Sequence, residues 1–143
     1  MPNHTGFIQE LKIRYKFAPV FLDGGFIPFV PEFDTGVDLI IYREEIDLLI
    51  KIQFKSRWTI DRKYMKRNIG IAFPVGEGLY LVPHDEFVEH IENNTTYLTS
   101  RSWMDDGIYH GKRHSAKLLE YLKPFKLDEK GQNEAIYKRF VRQ

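Results

Sequence analysis

Hydrophobic and polar positions change period several times along the chain, and each change marks an element. From Gly6 to Phe17, the residues Phe7, Ile8, Leu11 and Tyr15 fall at i, i+1, i+4 and i+8, the spacing of one helical face, with Thr5 as N-cap. Asp23-Gly24-Gly25 signals a turn, and Pro28 confines the apolar run Phe26 to Val30 to an edge strand or extended loop. Val37 to Tyr42 and Ile46 to Ser56, joined by polar Arg43-Glu44-Glu45, predict a β-hairpin. Its second run alternates, with Leu48, Ile50, Ile52 and Phe54 on one face and Leu49, Lys51, Gln53 and Lys55 on the other. Asn68 to Pro74 and Gly78 to Val82 predict a second hairpin around Val75-Gly76-Glu77. Helices are predicted from Asp85 to Ile91, from the capping Ser115 to Leu122 before Pro124, and from Glu134 to Val141. In the last helix, Ile136 with Phe140 and Tyr137 with Val141 form a stripe suited to packing or dimerisation. The order predicts a single α/β (α+β) domain over residues 1–143, with a central mixed β-sheet flanked by helices.

Composition narrows the function classes. A chain of 143 residues with 43% hydrophobic content can bury one core. A net charge of +1 excludes a uniformly basic clamp and a polyanionic disordered chain. The lack of cysteine removes disulfides, thiolate zinc sites and a cysteine nucleophile. The uncharged runs Gly24–Pro31 and Asn68–Gly76 are far shorter than the roughly 20 apolar residues of a membrane span. Glu10 and Lys12 interrupt the first apolar stretch, unlike a secretory signal. The expectation is a soluble cytoplasmic protein with no membrane partner.

The small total charge hides blocks. Residues 51–70 hold seven basic side chains against one acidic, and residues 111–143 hold nine against four. The intervening 71–110 hold seven acidic against one basic. The two basic blocks can form one positive face for a polyanion, or two solvated faces. Between Arg57 and Arg67, Trp58 and Tyr64 interleave with cations, a pattern suited either to a phosphate-contacting, base-stacking surface or to aromatic packing in the core. Arg57, Arg62, Lys63, Lys66 and Arg67 are candidate DNA contacts, with Lys112 and Arg113 as a second group. His110 and His114 are four apart but lack a third zinc ligand.

The chemistry concentrates on Gln53 and Lys55. A half-buried strand rarely turns a lysine toward protein without a negative group nearby, and the neighbouring run supplies Asp38 between Val37 and Leu39. Adjacent antiparallel strands bring such side chains within a few ångströms. A carboxylate, an amide oxygen and an ammonium then converge, either as a polar cross-strand cluster or as a site whose hard oxygen donors suit Mg²⁺.

Pro31, then Asp38, then Gln53-Phe54-Lys55, with Glu10 on the opening helix, resembles the PD-(D/E)XK phosphodiesterase superfamily in its variant with glutamine at the third position. The string Ile52-Gln53-Phe54-Lys55-Ser56-Arg57 looks like the core of small single-domain DNA endonucleases. Size and spacing are most similar to the PD-(D/E)XK homing endonucleases of group I introns, then to junction resolvases and restriction-type nucleases. The resemblance spans residues 6 to 57 and implies a restriction-endonuclease-like αβββαβ core. It implies Mg²⁺-dependent hydrolysis of double-stranded DNA, with Mn²⁺ as a substitute ion. Asp38, Gln53, Lys55 and Glu10 would be catalytic, Asp38, Gln53 and Glu10 holding the metal and Lys55 positioning or deprotonating the attacking water. Cutting two strands with one site per chain implies a homodimer or homotetramer. The chain departs from the pattern twice. Pro31 does not directly precede the acid, so Asp34 competes for that role, and Gln53 leaves the site one negative charge short. The alternatives are a catalytically degenerate DNA-binding or assembly module on the same scaffold, and a protein-interaction domain.

Overall fold

The computed structural model describes residues 5–33 and 35–141. The elements run α1 (Thr5–Asp23), β1 (Ile27–Phe29), β2 (Leu39–Arg43), β3 (Leu48–Phe54), β4 (Thr59–Asp61), β5 (Ile69–Val75), β6 (Gly78–Pro83), α2 (His84–Asn94), β7 (Ile108–His110), α3 (Ala116–Leu122) and α4 (Glu134–Lys138). A five-stranded sheet has the order β1-β2-β3-β5-β6, and β4 pairs with β7 in a separate two-stranded sheet. Only β3 and β5 run parallel in the larger sheet, so it is mixed. The α+β class read from the sequence is the class of the fold. Among the described residues no helix is long and apolar enough to cross a membrane.

The alternation of β3 separates two cores. Ile50, Ile52 and Phe54 join Phe17 and Phe21 of α1 and Ile136, Tyr137 and Phe140 around α4 in the first core. The second core gathers Trp58, Tyr64, Ile71, Phe73, Phe87 and Ile91 on the other side. Each fully buried large apolar side chain contributes about 1.5–3 kcal/mol by leaving water. Arg43 ties α4 to the sheet, with its guanidinium 2.8 Å from Glu134 and stacked 4.5 Å above the Phe26 ring.

The opening helix departs from expectation in length and in face. It continues six residues past Phe17, through Pro19, and its buried side is Ile13, Phe17, Val20 and Phe21. Phe7 and Tyr15 of the expected stripe are instead 62% and 70% exposed. Pro19 and Tyr15, the residue whose carbonyl loses its helical donor, both lie on the exposed side, where water can meet that carbonyl. The last helix ends at Lys138, short of Val141, and of its expected stripe Ile136, Tyr137 and Phe140 pack in the first core while Val141 is exposed.

The crossover joining β3 to parallel β5 also differs from the implied αβββαβ core. It contains no α-helix, only β4 and a single 3₁₀ turn at Arg62–Tyr64. The aromatics of this basic segment are core residues, with Trp58 and Tyr64 buried, and so do not form a stacking surface. Gly111 makes the burial of Trp58 possible. Its N–H donates to the Trp58 carbonyl at 2.9 Å, and a Cβ there would fall 1.9 Å from Trp58 Cε2 and 2.0 Å from Nε1. Gly111→Ala is therefore expected to lower the unfolding free energy by about 1–3 kcal/mol through overpacking, measured by urea denaturation. An unchanged midpoint would show that β4 and β7 do not close through this contact.

Candidate active site at the ends of β2 and β3

The site begins with an irregularity in the chain. Val37 packs in the second core and Leu39 in the first, although residues two apart in a regular strand share a face. The backbone therefore crosses from one side of the sheet to the other at Asp38. Two hydrogen bonds hold it there, one from the Asp38 N–H to the Ile52 carbonyl at 2.8 Å and one from the Phe54 N–H to Asp38 Oδ2 at 2.9 Å. These bonds bracket Gln53. Gly36 leads in with φ of +87°, and a Cβ there would meet the Tyr64 ring at 3.0 Å and the Arg67 guanidinium at 3.2 Å.

Asp38 is 8% exposed. Burial raises its carboxyl to about 7 against the lowering effect of the Phe54 N–H, a shared hydrogen bond and the charge of Glu10 raise it further, and Arg14 opposes the rise. Glu10 reaches Asp38 from the first turns of α1 and meets Arg14, one turn later, at 3.6 Å. Lys55 follows β3, its N–H bound to the Ala72 carbonyl at 2.9 Å. Burial lowers its ammonium, the neighbouring Lys63 lowers it further, and Asp38, Asp61 and Glu10 pull it back up. Asp38, Glu10 and Lys55, named from the sequence, thus form one electrostatic unit built from three elements.

Gln53 turns to the face opposite Ile52 and Phe54. Its Oε1 is buried with no hydrogen-bond partner among the described residues. An orphaned acceptor of this kind costs about 1–3 kcal/mol unless something donates to it or it binds a cation. Among the described residues no group of three or more His, Cys, Asp and Glu side chains forms a metal site. Asp38 and Glu10 share one hydrogen bond, and Gln53 adds an unsatisfied amide on the β3 face turned from Ile52 and Phe54; all three are hard oxygen donors, the type that suits Mg²⁺ or Mn²⁺ better than a softer metal. Asp34 lies outside the described residues.

The expected DNA contacts divide. Arg57, Arg62, Lys63 and Lys66 are exposed on the crossover, and Arg67 is half-buried over Gly36. Lys63 lies closest to the site: its Nζ is 5.3 Å from the Tyr64 ring centroid, and the Lys55 Nζ is 5.9 Å from the same ring. Arg62 is drawn away to the Trp103 ring at 5.2 Å. Lys112 and Arg113 are exposed beyond β7, beside Trp58 and Tyr109.

Two contributors were not singled out in the sequence. Arg14 had a readable signal, the i, i+4 spacing from Glu10 on a helix. The other is a buried frame around His84. Its Nε2 accepts from the Asp61 N–H at 3.0 Å, so its proton sits on Nδ1, 2.9 Å from Asp85 Oδ1. Burial lowers the His84 imidazolium, consistent with the neutral ring. Asp61 caps the Lys63 N–H at 3.0 Å, and Asp85 accepts from the Lys66 N–H at 2.8 Å. The crossover cations are thus carried on a braced backbone. No spacing rule in the sequence links residues 61, 84 and 85.

The buried Asp38 carboxyl is raised to about 7 from its ordinary value of 3.8. Between those values the folded chain holds more protons than the unfolded one, so this group's contribution to stability falls as pH rises and is gone above the folded value. Asp38→Asn keeps an oxygen for the Phe54 N–H and removes the charge. It is expected to stabilise the metal-free protein by about 1–3 kcal/mol near pH 8 and to change it little near pH 4. Denaturant titrations at both pH values check this, and an equal effect at the two would contradict a buried, titrating carboxyl. Searches of protein-family models, of curated proteins and of solved structures return no match to this chain.

Proposed function

We propose that the chain is a metal-dependent endonuclease that hydrolyses phosphodiester bonds in double-stranded DNA, acting in the cytoplasm as a homodimer or homotetramer. A homing-type, site-specific enzyme is the first reading, and a restriction or junction-resolving enzyme follows. One observation carries the proposal: the buried Asp38 carboxyl, raised to about 7 and hydrogen-bonded to Glu10, lies at the strand end that also bears the unsatisfied Gln53 Oε1 and the depressed Lys55. Stability alone favours satisfied amides and separated carboxylates, so perturbed groups and an unmet acceptor at one strand end support a working site.

Asp38, Gln53 and Glu10 would hold the Mg²⁺, or Mn²⁺ in its place. When bound, such an ion neutralises charge on a phosphate and acidifies water. The protein's own groups do the rest. Asp38 is fixed by the Phe54 N–H, so its oxygen is held before any ligand arrives. Arg14 limits the repulsion between Asp38 and Glu10. Lys55, its proton loosened by burial and by Lys63, can orient an attacking water and take up its proton. Lys63, Lys66 and Arg57 offer exposed cations to backbone phosphates on either side.

The test uses a pool of randomised duplexes with Mg²⁺, then with EDTA. Cleavage is expected only with the metal, and Lys55→Ala and Asp38→Asn are each expected to slow it by about 10²–10³-fold. Cleavage indifferent to both substitutions would remove the proposal. Because Gln53 leaves one negative charge fewer than a second acid would, a non-cleaving DNA-binding module is the second reading. It would appear as salt-dependent duplex binding without product.

A further inference from the structure

Three residues past Lys55 the chain enters a different constellation. A cavity of about 200 Å³ is lined by Trp58, Tyr97, Tyr109, Lys112 and Arg113. Tyr97 and Tyr109 stack nearly parallel, with centroids 4.9 Å apart and planes at 10°, and Tyr109 stacks on Trp58 at 5.5 Å. Both tyrosines are half-buried, while Lys112 and Arg113 are exposed, and no acidic side chain lines the cavity. The Trp58 indole N–H is buried without a hydrogen-bond partner among the described residues. The Tyr109 hydroxyl is raised by burial and by Tyr97 beside it.

This lining selects a ligand by chemistry. Flat aromatic walls favour a planar group, because a ring stacked on them keeps contact over its whole face. Two cations with no acid to oppose them favour an anion and reject a planar cation. Among ligands that join a planar group to an anion, a nucleotide is the one that the DNA reading of the neighbouring site supplies. The position agrees, because β4 and β7 carry the cavity and also join the site described above. Thr59 Oγ1 lies 2.9 Å from His110 Nδ1, and burial, followed by the charges of Arg57 and Lys55, lowers the His110 imidazolium.

We propose that this cavity takes one unstacked nucleotide of a DNA strand, with its base against the Tyr97–Tyr109 pair and its phosphate on Lys112 and Arg113. The inference rests on the reading of the neighbouring site only in taking DNA as the ligand.

The test compares a short single-stranded oligothymidylate with an abasic strand of equal length and charge, by fluorescence anisotropy on the full chain without metal. The wild type is expected to bind the thymidylate about tenfold more tightly, in line with base–aromatic stacking. Tyr97→Leu is expected to bring thymidylate down to the abasic level and leave abasic binding unchanged. Lys112→Gln with Arg113→Gln, on exposed positions, is expected to weaken both strands and flatten their salt dependence. Equal affinity of the wild type for the two strands overturns the inference, and so does a preference that survives Tyr97→Leu. Should Tyr97→Leu fail to fold, the wild-type comparison still decides. A thymidylate preference in a protein that cuts no duplex would sink the nuclease reading and leave this pocket standing, and cleavage without the preference does the reverse.

Discussion

A carboxyl group kept out of water beside a second carboxyl is the constraint on which this molecule's local design turns. Ionising Asp38 in its buried position is costly, and Glu10 adds to the cost. The chain accepts that because the backbone changes faces there, leaving Asp38 between the layer that carries α1 and the layer that carries Tyr64 and Lys55. A regular strand would have sent the side chain to one side only. The crossing is what lets a helix residue and a residue beyond β3 act on the same group, and two hydrogen bonds from β3 keep it from relaxing.

The second determinant is the short connection between the parallel strands. Without a crossover helix, residues 55–68 must reverse the chain through one three-residue strand and a single turn, and the backbone shows the effort. Lys66 and Asn68 both adopt positive φ, at 63° and 55°. Such conformations cost a lysine of order 1–3 kcal/mol and an asparagine less. The Asp85 carboxylate meets the Lys66 N–H, and the neutral His84 meets that of Asp61. The backbone here is held by polar contacts from α2, the His84 one buried and the Asp85 one exposed, and α2 itself carries no proposed catalytic group.

Much of this was legible in the chain. The β3 alternation is strong because Leu48, Ile50, Ile52 and Phe54 are all buried while Leu49, Lys51 and Gln53 are not. Ser115 caps α3 through the Leu118 N–H, as its residue type suggested. The face of α1 differs because the expected stripe, Phe7, Ile8, Leu11 and Tyr15, was set by the first turns and stopped before Phe17. Continued through Pro19, Ile13, Phe17, Val20 and Phe21 give a better helical stripe than Phe7, Ile8 and Tyr15. β4 and β7 escaped notice since each has three residues and finds its partner some fifty positions away, as in the Thr59–His110 pair. Local pattern carries no information about such pairing. For the site, Asp38 and Lys55 were readable from residue type and strand phase and Glu10 through the resemblance, whereas the change of face at Asp38 was not, because it depends on which core claims Val37.

The outer strand β1 limits how these chains can assemble at that margin. β1 is only three residues long, with Pro28 facing Ile41 across the ladder. A proline cannot donate inward, so antiparallel alternation puts its nitrogen on the free margin, where that margin then lacks an amide hydrogen. A neighbouring molecule would find almost nothing there to zip onto, despite the bare flanks of Ile27 and Phe29. Copies of the protein are therefore not expected to fuse their sheets into one continuous ribbon across this margin.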